Sequence, residues 1–399
     1  MKTKISGISF FTLWFGAAVS LAEIMTGSLI APLGFSKGIM IILLGHLVGG
    51  LFLAAAAYIG HKENKASIES SRFSLGRQGS YLISLLNIIQ LIGWTAIMLI
   101  QASKAMQPIS QSLLGFESFK FFVVALGFLV LLWSLFMEKG SQRINEISVG
   151  LLMLLSLLML YLSWGQTPTA PLSGEMSIGL AFELSLVMPL SWTPLIADYT
   201  QKAKSSSGAV WGSYIGYFLG SSLMYIIGLV CAINLGSSDP TSLMMKLNLG
   251  FAALLVVILA TVTTTFMDVY SAVSSTNNIF KNLSRNWMIA AYTLAGTALA
   301  LFFPMENYEN FLYMIGSVFA PTFTVFFVDY FFFKKDQSDK KFNYLALATI
   351  ILGIAFYYYV QKFDLLIGSS LPTIGFTASA YVMINLMSKF LIKEKVVTE

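Results

Sequence analysis

The sequence predicts an all-α integral membrane protein with twelve transmembrane helices. Only 11% of its 399 residues are charged, against roughly 25% in soluble domains, and 56% are hydrophobic. The mean hydropathy is +0.76, and the apolar residues recur in runs of about 20 separated by short polar stretches, as in helices that cross a bilayer. So little charge excludes a disordered chain and a nucleic-acid binder. Membrane lipid is therefore the expected surrounding, and no nucleic-acid partner is expected.

Each apolar run is assigned to one span, and no soluble domain fits between the spans. The first run follows Lys2 and Lys4 but continues through Ile30, which is longer than the roughly 7–15 apolar residues of a signal peptide. We therefore expect it to be retained as span 1. The twelve predicted spans lie near residues 8–33, 38–60, 80–106, 119–137, 144–164, 178–200, 208–233, 250–275, 287–304, 309–333, 342–361 and 372–392.

The basic residues predict the orientation of the chain. With the N-terminus inside, nineteen of the 24 lysines and arginines fall in cytoplasmic segments, where such residues are preferentially retained. The five exceptions are Lys37, Lys104, Lys120, Lys246 and Lys362. This asymmetry predicts a multi-pass protein of the plasma (inner) membrane with both termini cytoplasmic, and it explains the net charge of +5 without a basic-ligand role.

Two spans contain residues that disrupt a helix near mid-depth. Span 1 has Gly16, Ser20 and Gly27 within FGAAVSLAEIMTGSLIAPLG, and span 6 has Pro189 and Pro194 within ELSLVMPLSWTPLIADYT. Proline removes an intrahelical hydrogen bond, and exposed backbone is tolerated at membrane depth only where it lines a cavity. Either span taken alone is equally readable as a simply kinked helix.

The two interruptions are five spans apart, which suggests an internal repeat. A unit with an odd number of helices places its second copy upside down, and paired interrupted helices mark the midplane binding site of a transporter. We therefore predict a first inverted repeat in residues 1–165 and a second in 166–336. Spans 11 and 12 and a cytoplasmic tail would occupy 337–399.

Three carboxylates lie within predicted spans, where burying a charge costs about 2.5–3.5 kcal/mol on insertion scales. Glu23 in span 1 and Asp268 in span 8 are the deepest and are the candidates for lining a site, unless each is a protonated group bonded to nearby backbone. Glu183 lies about one turn inside the membrane, where an interfacial role is equally compatible. His46 is interpreted as a packing residue, with proton relay as the alternative.

Hydroxyl groups and tryptophans complete the candidate site. Span 8 contains ATVTTTFMDVYSAVSSTNN, whose hydroxyls, with the carbonyls of a broken span 1, would suit a hard cation such as Na⁺. Threonine hydroxyls also bond their own helix, so the cluster alone is weak evidence. Trp94 and Trp192 lie mid-span among small and polar residues and could hold a flat heteroaromatic ring between them.

With these residues identified, the chain resembles the nucleobase–cation symporter family, which includes purine–cytosine permeases. It is most similar to the branch called CytX, hydroxymethylpyrimidine transporters linked to thiamine salvage, and the resemblance runs over essentially the whole chain. The motifs that carry it are FGAAVSLAEIMTGSLIAPLGF, IGWTAIMLIQASKA, PLSWTPLIADYT and TTTFMDVYSA.

The resemblance implies a leucine-transporter-like fold, a five-plus-five inverted repeat with two extra C-terminal helices. Tryptophans of spans 3 and 6 sandwich the base in relatives, and these correspond to Trp94 and Trp192. A span-8 residue that contacts the base edge corresponds to Asp268, where relatives often carry Asn. Two departures are Met98, where one class of relatives has a polar amide, and Ser191 in place of glycine.

The resemblance also implies a cation site. In sodium-coupled members this site uses span-1 carbonyls and span-8 hydroxyls. These correspond to the backbone from Ala18 to Leu21, with Thr263 and Thr264.

Together these observations predict a secondary active symporter that imports a small pyrimidine-type base, hydroxymethylpyrimidine or cytosine, by alternating access. Glu23 and Asp268 would read the polar edge of the base. We expect Na⁺ rather than H⁺ as the coupling ion, no other cofactor, and a monomer or weak oligomer.

Two transporter alternatives remain open. One is a proton-coupled carrier of another purine or pyrimidine base, with Glu23 or Asp268 as the coupling residue. The other is an amino-acid carrier of the same fold. A membrane enzyme would need a nucleophile or metal constellation, and the single Cys231 with two histidines supplies no transition-metal site.

Overall fold

A computed structural model describes residues 4–136, 141–166, 175–236, 250–302 and 308–398, and its regular structure is helical throughout these ranges. Eight helices are each long and apolar enough to cross a membrane, and the pair Gly7–Ala18 and Leu21–Leu33, bent by 60°, forms a further broken span. Each of the twelve predicted spans coincides with a helix or a broken helix. The predicted ends of spans 4 and 9, at residues 137 and 304, and the loop residues Lys139 and Lys246 lie outside the described ranges.

The helices of the twelve spans have the following bounds. Span 1 comprises Gly7–Ala18 and Leu21–Leu29, span 2 Phe35–Glu63, span 3 Gly79–Leu114, span 4 Phe119–Phe136, span 5 Ser141–Ser163, span 6 Ile178–Leu190 and Ile196–Thr200, span 7 Ser206–Leu235, span 8 Gly250–Ile279, span 9 Arg285–Phe302, span 10 Tyr308–Phe327 with a π-helical end Val328–Phe333, span 11 Tyr344–Val360, and span 12 Ser370–Thr398.

Span 1 is interrupted at Val19 and Ser20. The first half ends at Ala18, and Ser20 is extended, with φ −145° and ψ 160°. The Ser20 hydroxyl then accepts a hydrogen bond from the Glu23 amide at 3.3 Å and so caps the second half. A helix that stops here leaves carbonyls at its C-terminal end without intrahelical partners, at a point where the partial charge is negative.

Span 6 is interrupted between its two prolines. The first half ends at Leu190, one residue after Pro189, and residues 191–195, which include Pro194, form turns before the helix resumes at Ile196. Pro194 has no N–H to donate, so a continuous helix would lack a hydrogen bond at this point. Trp192 lies within these turns, so the break determines its position.

Spans 1, 2, 6 and 7 pack closely together, and spans 3 and 8 pack against each other. Glycine makes the contact between spans 1 and 7 possible, since a Cβ on Gly27 would lie 2.1 Å from the Tyr225 carbonyl oxygen and one on Gly228 2.0 Å from that of Ile24. Small residues permit such close backbone approach between membrane helices.

The segment between spans 2 and 3 is more ordered than its polar sequence suggests. It contains two short helices, Ser67–Ser70 and Arg72–Leu75. The Ser67 hydroxyl accepts from the Ala197 amide at 2.7 Å, and the Ser74 hydroxyl donates to Asp329 at 2.6 Å. These contacts attach the segment to the second half of span 6 and to the end of span 10.

Glu183 joins spans 11 and 12 to the first half of span 6. Its carboxylate accepts four hydrogen bonds, from the Tyr357 hydroxyl (2.6 Å), the Ser369 and Ser370 amides (2.9 and 2.8 Å) and the Ser370 hydroxyl (2.6 Å). Span 12 begins at Ser370, so the carboxylate sits at the positive end of that helix. This arrangement matches an anchoring role for Glu183.

Candidate substrate and cation site

Trp94 and Trp192 each pack edge-on against another aromatic ring of the protein. Trp94 on span 3 packs edge-on against Phe311 of span 10, with ring centroids 5.4 Å apart. Trp192 packs edge-on against Trp14 of span 1 at 5.5 Å and is tilted against Tyr217 of span 7 at 6.1 Å. Each tryptophan is thus held in place by contact with a neighbouring aromatic ring.

Gln90 links the two tryptophan-bearing spans and was missed by the sequence analysis. Its side-chain amide donates to the Ser191 carbonyl at 2.9 Å and to Asn87 Oδ1 at 2.9 Å. Gln90 lies one turn before Trp94, so the two share a helix face. That spacing was the available signal, because a buried amide on the face of Trp94 needs a partner.

Ser191 and Met98, both expected near the substrate, are buried. The Ser191 hydroxyl donates back to the Met188 carbonyl at 2.7 Å, while its own carbonyl accepts from Gln90. Met98 lies one turn after Trp94 and lines the small cavity described below. It therefore stands between the tryptophan and the break in span 1.

The two deep carboxylates have different surroundings. Asp268 is buried in span 8, one turn after Thr264, and its carboxylate has no hydrogen-bond donor among the described residues. Glu23, by contrast, accepts from the Tyr217 hydroxyl at 2.8 Å and from the Ser221 hydroxyl at 2.6 Å. Asp268 thus differs from Glu23, which is engaged by two hydroxyls of span 7.

A small cavity lies where the break in span 1 meets span 8. The centre of a water molecule could occupy about 10 Å³ of this cavity. That volume is close to the minimum that one water needs. Its lining residues are Ser20, Leu21, Met98, Leu152, Ala260, Thr261 and Thr264. The cavity is therefore of a size for a single water or a small dehydrated cation.

The predicted cation residues are distributed unevenly around this cavity. Leu21 and Thr264 line it, and Ala18 ends the helix that leads to it. Thr263 donates to its own helix, at 2.9 Å to the Leu259 carbonyl. Thr261, which is not among the predicted cation residues, lines the cavity instead.

Comparison with known sequences identifies the family. A family profile described as a permease for cytosine/purines, uracil, thiamine and allantoin matches residues 2–364. Cytosine permease of Escherichia coli strain K12 is 24% identical to this chain over 370 residues, which covers 88% of this chain and 83% of the permease.

Comparison with solved structures identifies the fold. Mhp1, a nucleobase-cation-symport-1 family transporter in a closed conformation with bromovinylhydantoin bound, matches with a TM-score of 0.81 at 16% identity, covering 98% of this chain and 94% of Mhp1. A Na⁺-coupled sialic acid symporter in a substrate-bound outward-open state matches with a TM-score of 0.70 at 13% identity, covering 95% and 88%.

These findings confirm the predicted fold class, an all-α membrane protein of twelve spans in a five-plus-five inverted repeat with two extra helices. The bounds of the two repeats stay a prediction. The family profile and its relatives also confirm a transporter rather than an enzyme. Since the profile covers nearly the whole chain, the protein belongs to the family of permeases for cytosine/purines, uracil, thiamine and allantoin.

Proposed function

We propose that this permease is a secondary active symporter that imports a small pyrimidine-type base with Na⁺ by alternating access. The observation that carries the proposal is the water-sized cavity at the junction of the broken span 1 and the Thr261–Thr264 turn of span 8. It lies one helical turn from Asp268, whose carboxylate has no hydrogen-bond donor within the described ranges. A cation and a polar ligand edge would thus bind within about one turn, or roughly 5.4 Å, of each other.

The base would stack between Trp94 and Trp192. Each ring already packs against another aromatic ring, Trp94 against Phe311 and Trp192 against Trp14, so little side-chain freedom is left to lose on binding. Stacked aromatic pairs gain about 0.5–1.5 kcal/mol beyond the area they bury. An amino-acid carrier of the same fold has no need of such a pair, and this favours the nucleobase.

An aminopyrimidine suits the charge of the site better than uracil does. Hydroxymethylpyrimidine and cytosine offer an exocyclic amine donor and a basic ring nitrogen, and the Asp268 carboxyl complements both. Glu23 already accepts two hydrogen bonds from span 7, so its contribution to the base edge would require a rearrangement. We therefore assign the direct contact to Asp268 and an indirect one to Glu23.

Sodium fits the small cavity through oxygen ligands. Thr261 and Thr264 line it, and their hydroxyls make no hydrogen bond to other described residues, unlike those of Thr263 and Thr265. The carbonyls from Ala18 to Leu21, at the negative end of the first half of span 1, would complete the set of oxygen ligands.

We also expect the protein to lie in the plasma membrane as a monomer or weak oligomer, with both termini cytoplasmic.

Coupling has a direct thermodynamic test in purified protein. If Na⁺ and the base stabilise the same state, each raises the affinity for the other by the same factor. We expect tryptophan-fluorescence titrations to give a lower dissociation constant for cytosine or hydroxymethylpyrimidine in NaCl than in choline chloride. Binding of equal affinity in both salts would contradict sodium coupling, and a response to pH alone would select the proton-coupled alternative.

The substrate class is tested by competition. Uptake of labelled hydroxymethylpyrimidine or cytosine is measured with each unlabelled base in excess. Aminopyrimidines should compete best, because uracil has a carbonyl where they have the amine. The assignment would be refuted if uracil outcompeted every aminopyrimidine.

A further inference from the structure

Three buried side chains from three spans form one continuous hydrogen-bond chain. Glu23 of span 1 is 2.6 Å from the Ser221 hydroxyl of span 7, measured from Oε2 to Oγ. The same hydroxyl is 2.5 Å from Nε2 of His46 on span 2, and Nδ1 of His46 is 2.8 Å from the Ile42 carbonyl oxygen. All three side chains are buried.

The number of hydrogens in this hydrogen-bond chain follows from its three contacts, Glu23 to Ser221, Ser221 to His46, and His46 to the Ile42 carbonyl. Each contact needs one hydrogen, the Ile42 carbonyl accepts only, and Ser221 supplies only one. Two more hydrogens must therefore come from His46 and Glu23. Either His46 carries both and Glu23 is a carboxylate, or each carries one. A neutral His46 beside an ionised Glu23 leaves one contact with two acceptors and no hydrogen.

We propose that Glu23, Ser221 and His46 form a proton-binding site that holds one exchangeable proton, with Ser221 as the relay between the two ends. In one form Ser221 donates to the Glu23 carboxylate and accepts from the His46 imidazolium. In the other the Glu23 carboxyl donates to Ser221, and Ser221 donates to neutral His46. Moving the proton from one end to the other breaks one O–H or N–H bond and forms another at each step, with no change in total charge.

The surroundings connect this site to the candidate substrate site. Tyr217 donates to Oε1 of Glu23 at 2.8 Å, and its ring packs on Trp192 at 6.1 Å. Two other titratable side chains neighbour this hydrogen-bond chain, Tyr225 and Tyr308. The ring centroids of Tyr225 and His46 are 4.6 Å apart. The Tyr308 hydroxyl of span 10 is hydrogen-bonded to the Thr26 hydroxyl of span 1 at 2.7 Å. All three tyrosines are neutral hydrogen-bonding groups, so none compensates a charge on Glu23 or His46.

The inference rests on the proposed transport function for its consequence, which is that a proton accompanies the base. The variant Glu23→Gln distinguishes import of the base with a proton from import without one. A glutamine amide donates to Ser221 while its carbonyl accepts from Tyr217, so the variant reproduces the protonated arrangement permanently. The control is Ser222→Ala, because Ser222 is the adjacent buried serine and its hydroxyl has no hydrogen-bond partner among the described residues.

The test uses proteoliposomes with weak internal buffer, a pH-sensitive dye inside and equal NaCl on both sides. We expect cytosine or hydroxymethylpyrimidine import to acidify the lumen for the native protein and for Ser222→Ala. Glu23→Gln should lose this acidification. Import of labelled base by the native protein without acidification would overturn the proton site while leaving the proposed function standing. Unchanged acidification in Glu23→Gln would do the same.

A measurement without substrate keeps the inference testable if no base is imported. The melting temperature of the detergent-purified protein is followed from about pH 5 to pH 9, a range that includes the ordinary charge change of a free imidazole. We expect it to fall with rising pH as the proton and one contact are lost. The Glu23→Gln curve should be flatter, and that of Ser222→Ala should follow the native protein. Identical curves for Glu23→Gln and the native protein would overturn the proposal.

Discussion

The side-chain amide of Gln90 donates to the backbone carbonyl of Ser191 at 2.9 Å. This bond joins span 3, one turn before Trp94, to the interruption in span 6, one residue before Trp192. The carbonyl at a helix break needs an external partner, and Gln90 provides it. The separation of the two candidate stacking rings thus depends on a hydrogen bond as well as on packing.

Replacing Gln90 with alanine should weaken substrate binding. The variant leaves the Ser191 carbonyl without its side-chain donor, a loss of about 1 kcal/mol for a typical hydrogen bond. We expect KM for uptake to rise about fivefold with a smaller effect on the maximal rate. Gln107→Ala is the matched control, since Gln107 lies on the same helix and its side-chain amide donates, among the described residues, to Glu117 at 3.2 Å. Equal KM for both variants would argue against this role.

Removing the span-6 ring should abolish uptake. Trp192→Ala removes the indole ring proposed to stack on one face of the base. Trp192→Phe keeps an aromatic ring there and should retain part of the activity. Trp211→Ala serves as the control because the Trp211 side chain, also on a membrane-spanning helix, is 58% exposed. Labelled-base uptake is compared at equal amounts of monodisperse protein, and near-normal uptake by Trp192→Ala would remove the sandwich arrangement.

The hydroxyls of span 8 should set the sodium dependence. Thr261→Ala and Thr264→Ala each remove one candidate oxygen ligand, and a bond to a charged group contributes about 1.5–3 kcal/mol. We expect the Na⁺ concentration for half-maximal uptake to rise about tenfold or more. Thr349→Ala in span 11, whose hydroxyl bonds its own helix at 2.9 Å, should behave like the native protein. A shift of the same size in Thr349→Ala would show a general effect of losing a hydroxyl.

Glu183 should matter for stability more than for recognition. In Glu183→Gln an amide replaces one oxygen of a group that receives four donors, so at least one donor loses its acceptor. An unsatisfied buried group costs about 1–3 kcal/mol. We expect a melting temperature several degrees lower, with KM for the base unchanged. Glu175→Gln, at an exposed position before span 6, is the control, and a changed KM with native stability would contradict the anchoring role.

The architecture was largely predictable because it depends on properties local to the chain. Pro189 and Pro194 lack the N–H that a continuous helix requires, so the position of the span-6 break is visible in the residues themselves. The density of Gly16, Ser20 and Gly27 marked the span-1 break in the same way. The two short helices between spans 2 and 3 were not visible, because they are ordered by contacts with Ala197 and Asp329 distant in the sequence.

The site was predictable only in part because side-chain direction depends on neighbouring helices. Thr263 and Thr261 are equivalent in the sequence, but Thr263 donates to its own helix and Thr261 lines the cavity. Glu23 was expected at the substrate, yet Tyr217 and Ser221 of span 7 engage it, and nothing near residue 23 indicates those partners. His46 was interpreted as a packing residue for the same reason. Its bond to Ser221 joins positions 175 apart.

The most direct measurement is uptake of labelled cytosine and hydroxymethylpyrimidine into proteoliposomes with an inward sodium gradient. We expect the base to accumulate above its external concentration, and we expect this accumulation to collapse when choline replaces sodium outside. Equilibration to equal concentrations on both sides, unaffected by the gradient, would contradict a sodium-coupled symporter.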